Sequence, residues 1–128
     1  MMGRVDLPAA LAAAIRAQAG DAHPRECCGL LEGSATRITA LHPTRNLAEE
    51  PDRFEVDPAE QFRLMREGRR IAGCYHSHPG GRAEPSPRDA EFASEAGFLW
   101  LVCADTLGAF VWDGAGFRPL VLAETARA

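Results

Sequence analysis

Apolar positions along the 128-residue chain change spacing from one stretch to the next. Leu7, Leu11, Ala14, Ile15 and Gln18 follow helical spacing and predict a helix over 6–19, with Asp6 as cap, Pro8 in its first turn and Gly20 at its exit. Shorter runs then predict strands over 27–33 and 36–42, joined by a turn at Gly33-Ser34 and followed by a polar loop through Pro51. The pattern continues as a strand over 53–57, a helix over 58–69, a strand over 71–77 and a helix over 87–96. Strands near 98–103, 108–113 and 116–122 complete the order, the last two forming a hairpin across Asp113-Gly114-Ala115-Gly116. Helices interleaved with strands imply an α/β fold with one mixed sheet flanked by helices. No repeat, linker or low-complexity tract divides residues 1–128, so one domain is expected. Trp100 and Trp112 fall in strand patterns as core or rim residues, and His42-Pro43 reads as a strand exit.

The stretch from His76 to Asp89 carries the candidate chemistry. On a strand running into His76 and through His78, the two imidazoles point the same way and Ser77 turns from them. Two adjacent neutral imidazoles suit Zn²⁺ or a similar metal. Pro79-Gly80-Gly81 breaks the chain, and Ser86-Pro87-Arg88-Asp89 reads as a helix start, with serine as N-cap and proline in the first helical position. The short loop brings Asp89 back over the histidines, and three protein ligands leave a fourth tetrahedral position for water. Plainer readings stand beside this one. A histidine at a strand end is commonly just a hydrogen-bonded residue, and Ser86 with Asp89 forms a capping box without any metal. Cys74 shares the face of the histidines and is an alternative donor, although a thiolate would ordinarily displace the aspartate.

His76-Ser77-His78-Pro79-Gly80-Gly81-Arg82-Ala83-Glu84-Pro85-Ser86-Pro87-Arg88-Asp89 resembles the HxHx7Sx2D pattern of the JAMM (MPN+) metalloprotease family without a gap. Roughly fifty residues upstream, Pro24-Arg25-Glu26-Cys27-Cys28-Gly29-Leu30 resembles that family's P-x-E-x-C-G-L/V block. The resemblance implies that His76, His78 and Asp89 bind one catalytic zinc. It further implies that Glu26 is the general base toward the attacking water and that Ser86 stabilises the developing oxyanion. Without it, Glu26 would read as one exposed acidic residue among many. It also implies the cytidine-deaminase-like three-layer arrangement. The expected activity is hydrolysis of an amide bond at the diglycine-type tail of a small ubiquitin-like or sulfur-carrier protein. Insertions seen in ubiquitin-chain-specific members are absent from the thirteen-residue step between His76 and Asp89. Two alternatives stay open: a non-catalytic MPN scaffold that binds a ubiquitin-like partner, and a RadC-like domain. A zinc deaminase needs HxE followed by PCxxC, and neither occurs.

Charge and cysteine usage narrow the setting. A net charge of −4 with scattered arginines leaves no nucleic-acid footprint. No apolar run approaches the ~20 residues of a membrane span, and Asp6 and Arg16 interrupt what would otherwise imitate a signal peptide. Cys27 and Cys28 are adjacent, while Cys74 and Cys103 lie in apolar strand runs; buried free thiols in a reducing cytoplasm are expected rather than disulfides. The oligomeric state is left open, a homodimer included.

Overall fold

The computed structural model describes residues 2–126. Its seven strands are β1 (Arg4–Pro8), β2 (Cys28–Gly33), β3 (Ile38–Thr44), β4 (Ile71–Ser77), β5 (Leu99–Cys103), β6 (Leu107–Trp112) and β7 (Phe117–Thr125). They form one mixed sheet in the order β1-β7-β6-β5-β4-β2-β3. β1 runs parallel to β7 and β4 parallel to β5, and the other pairings are antiparallel. The sheet curls until its two edges meet, where the Asp6 N–H donates to the Thr36 carbonyl at 2.8 Å.

Helix α1 (Ala9–Ala22) packs Ala12 and Ile15 into a core with Val5, Leu7, Tyr75 and Leu101. Helix α2 (Pro58–Arg66) packs Leu64 into a second core with Leu30, Cys74, Trp100 and Trp112. Leu30 and Leu31, or Cys74 and Tyr75, are strand neighbours that divide between the two cores, as alternation requires. The sheet is therefore the middle of three layers, and the mixed α/β arrangement agrees with the sequence reading. Both tryptophans are buried, as expected. Among the described residues no helix is long and apolar enough to cross a membrane.

Several expected boundaries move. The helix expected over 6–19 is split: Arg4–Pro8 is a strand and α1 begins at Ala9. Val5 and Leu7 are buried while Arg4 is exposed and Asp6 half-buried, so an alternating pair hidden in an alanine-rich run fills the sheet edge instead. Asp6 pairs with Arg4 at 2.8 Å rather than capping the helix. The helix then runs past Gly20 and stops before Pro24, which biases His23 toward extended backbone. β3 starts at Ile38 because Ser34–Arg37 closes a turn, and it continues through His42-Pro43, where an edge strand tolerates proline. His42 is thus inside the strand and sits 2.7 Å from Glu32. The strand expected over 53–57 does not form beyond one bridge between Asn46 and Val56. There the Asn46 carboxamide takes the place of a neighbouring strand, donating to the Arg53 carbonyl at 2.8 Å and accepting from the Glu55 and Ala48 N–H groups at 2.9 Å. α2 ends at Arg66, with Gly68 at φ 80°, and helix α3 (Pro87–Phe92) ends four residues before the expected limit, Ala93 being extended.

Candidate active site

β4 lies between β2 and β5, with His76 opposite Cys28 on one side and Val102 on the other. His76 is fully buried at the end of the second core. His78 follows the last residue of β4, and its N–H donates to the Cys103 carbonyl at 2.8 Å, prolonging the strand geometry. The two imidazoles face each other, Nε2 to Nε2, at 2.9 Å. Ser77 points to the opposite side, where its hydroxyl accepts from the Cys27 N–H at 2.8 Å while its own N–H donates to the Cys27 carbonyl at 3.1 Å. This two-way link holds the residue before Cys27, Glu26, against the histidines. The Glu26 backbone is tied further by its N–H to the Pro51 carbonyl and by Asn46, whose carboxamide donates to the Glu26 carbonyl at 3.0 Å. Glu26 is buried, contrary to what the sequence alone suggests.

The loop after β4 returns the chain to the histidines. Ser86 caps α3 through a reciprocal box: its hydroxyl accepts from the Asp89 N–H at 3.1 Å, and its N–H donates to Asp89 Oδ2 at 2.8 Å. The same Oδ2 lies 3.1 Å from His76 Nε2 and 3.3 Å from His78 Nε2. Ligand atoms of Glu26, His76 and His78 in turn lie within 4.8 Å of one another. Neither Asp89 nor Cys74 belongs to that group of three; Asp89 meets the histidines through Oδ2 alone. All four cysteines are buried and free, as expected.

These donors fit a metal ion. Neighbouring ligand atoms around a tetrahedral zinc with bonds of 2.0–2.1 Å stand about 3.3 Å apart, close to the spacings of the two Nε2 atoms and Oδ2. His78 donates from Nδ1 to the Arg82 carbonyl at 3.0 Å, so in the neutral ring Nε2 turns a lone pair toward a second imidazole and a carboxylate. Only a proton or a cation placed among them relieves that repulsion.

Electrostatics separates the two carboxylates. Burial pushes Glu26 up to about 7, with Asp89 and Asp52 adding to the rise and His78 opposing it. Burial would raise Asp89 too, but the two imidazoles and the Ser86 N–H together hold it well below the usual carboxylate range. Burial lowers His76 despite Asp89; at His78, Asp89 and the Arg82 carbonyl outweigh burial and raise it.

Two clefts meet at Glu26 and Ser86. One, a cavity of about 580 Å³, runs under the β3–α2 loop along Phe54, Phe92 and Trp100; the other, about 550 Å³, runs along Pro24, His78 and Pro85. Phe92 stands 71% exposed, one helical turn beyond Asp89 on α3. Phe54 stacks on the His76 ring with centroids 4.1 Å apart and planes 15° from parallel. Asn46 and Phe54 escaped the sequence reading: a single asparagine in a polar loop and a phenylalanine in an apparent strand give no local sign of a neighbour in the histidine cluster.

Comparisons with known proteins bear on the family and the fold. The family model for prokaryotic homologs of the JAB domain matches residues 8–114. A desampylase of Haloferax volcanii is 40% identical over 114 residues, covering 82% of this chain and 81% of its own. A protein from Desulfitobacterium hafniense, solved in solution, is 26% identical with a TM-score of 0.80 and 94% of each chain covered. The structure described as JAMM, a metalloprotease-like zinc site in the proteasome and signalosome, shares the fold at a TM-score of 0.59 and 19% identity, over 97% of this chain and 100% of that one.

Proposed function

From the premise that this chain belongs to the family of prokaryotic homologs of the JAB domain and is a JAMM-type hydrolase, we propose that it is a zinc peptidase or isopeptidase. It cuts an amide bond at the diglycine-type tail of a small ubiquitin-like or sulfur-carrier protein. One observation carries this reading: the carboxylate of buried Glu26 lies within 4.8 Å of ligand atoms of two imidazoles, and a second, ionised carboxylate, Asp89, touches both of those rings. His76, His78 and Asp89 would hold the ion, and Zn²⁺ bound there, one per chain, supplies an acidified water and a Lewis acid for the scissile carbonyl.

The remaining steps belong to the chain's own groups. Asp89 suits the ligand role because it is ionised at any working pH and touches both imidazoles. Glu26 suits the base role because its buried carboxylate lies beside the two imidazoles and burial favours its protonated form, so it can take a proton from the attacking water and return it to the leaving amine. Ser86 Oγ accepts from the Asp89 N–H, which leaves its own hydroxyl proton to donate to the oxyanion. The two clefts give an extended tail a path across the site. The desampylase name of the Haloferax volcanii relative supports removal of a small ubiquitin-like modifier, and four buried free thiols support work in a reducing cytoplasm.

Incubation of zinc-loaded protein with carrier conjugates, followed by product mass, tests the reading. Cleavage at the tail that disappears in Glu26→Gln is the expected result. No cleavage by wild type, or equal cleavage by the variant, overturns it.

A further inference from the structure

We infer that Phe54 is the positioning residue of the His76 imidazole, doing by ring stacking what a hydrogen-bond acceptor does for His78, on the reading that both histidines hold a metal ion. The two rings are anchored in different ways. His78 is fixed through Nδ1, which donates to the Arg82 carbonyl. His76 is fully buried, yet its Nδ1 has no hydrogen-bond partner among the described residues. A metal-binding histidine ordinarily has its second nitrogen oriented by a carbonyl, carboxylate or water. Here that nitrogen has no such partner, and the ring is instead held by aromatic packing. Phe54 lies flat against His76 at 4.1 Å, and Trp100 meets it edge-on at 5.9 Å with planes 89° apart. Phe54 and Trp100 also meet edge to face at 5.9 Å, so each braces the other. Turning His76 about χ2 would drive the edge of its ring into Phe54, and close packing leaves no room for that.

Phe54 is itself held on both sides. The Asn46 carboxamide binds the backbone of Arg53 and of Glu55, the two residues flanking it, and also the Glu26 carbonyl. One asparagine thus fixes the base and the ring that orients the ligand. Because Phe54 also walls the cavity beside Glu26, a tail seated there presses on the ring that presses on His76.

Zinc affinity of Phe54→Leu and Phe54→Tyr, measured by competition with a chromophoric chelator, tests the role together with long-range ¹H–¹⁵N spectra of the imidazoles. Phe54→Leu should weaken zinc by about 10- to 100-fold, the range for lost orienting contacts, and should give the metal-free His76 ring altered nitrogen shifts while His78 keeps its own. Phe54→Tyr, which preserves the stack, should bind as wild type does. Circular dichroism and urea unfolding report whether each variant is folded, and Phe54→Met replaces Phe54→Leu if the latter is not. A folded Leu or Met variant with wild-type zinc affinity and unchanged His76 signals overturns the inference, as does equal weakening by Tyr and Leu. Wild-type protein that binds no zinc overturns the metal reading instead, and the metal-free imidazole spectra then still decide the role of Phe54.

Discussion

Replacing Glu26 by Gln should stabilise the metal-free protein while removing its turnover. The carboxyl rises from its ordinary 4.5 to about 7 in the fold, chiefly through burial. At 1.36 kcal/mol per pKa unit, ionising it there costs about 3 kcal/mol more than in the unfolded chain. The sign follows from proton binding. Below pH 4.5 the group is protonated in both states and costs nothing; between 4.5 and about 7 the folded state still holds a proton that the unfolded chain has released; above about 7 the full penalty applies. Glutamine does not titrate, so the variant escapes the penalty. Urea unfolding of both proteins, with chelator present, at intervals from pH 4.5 to 8.5 measures the gap. His78 and Asp89 interact with Glu26, so the measured gap includes the change in their own titration when the Glu26 charge is removed. The variant should match wild type at the acid end and exceed it by about 3 kcal/mol at the alkaline end. In the zinc-loaded enzyme the same change should lower kcat by about 10²- to 10⁴-fold, as expected for loss of a general base. A stability gap that does not change with pH, or a wild type more stable than the variant at pH 8, would refute the burial argument.

Three other outcomes are expected. Ser86→Ala should cost about 1 kcal/mol through the lost cap and lower kcat by about 10²- to 10³-fold at unchanged zinc content; a stability loss with kcat intact would leave Ser86 as a cap only. Gly73→Ala puts a Cβ 2.1 Å from the Leu99 carbonyl oxygen, between β4 and β5, so thermal unfolding should show a loss of at least ~1–3 kcal/mol, and an unchanged Tm would contradict the close strand approach. Zinc at 100 times its Kd should stabilise wild type by about 2.7 kcal/mol in the same scan; chelator should reverse the gain and His78→Gln should abolish it, whereas a gain retained by His78→Gln would remove that residue from the ligand set.

Local signals were the readable ones. β4 matches its expected limits of 71–77 because a short apolar run between turn residues has few alternatives. The Ser86 cap is a contact between neighbours in sequence and needs no distant partner. β1 was hidden because its reason for existing, pairing with β7, lies at the other end of the chain. Val5 and Leu7 are too few to outweigh the alanine-rich helix that follows. The Phe54 segment reads as a strand in composition, but Asn46 supplies the backbone partners that another strand would have offered. Glu26 was legible through the family motif alone, since its burial comes from the link between Cys27 and Ser77, fifty residues apart.

A single oxygen, Asp89 Oδ2, both completes the cap of α3 and faces the two imidazoles. That double duty sets an order in which relatives of this protein can lose catalysis. The half-buried His78 can be exchanged at the expense of the ion and one loop hydrogen bond, whereas losing the aspartate also unseats a helix start. Inactive descendants should therefore discard His78 early and keep an aspartate, or an asparagine able to cap, long after the chemistry has gone.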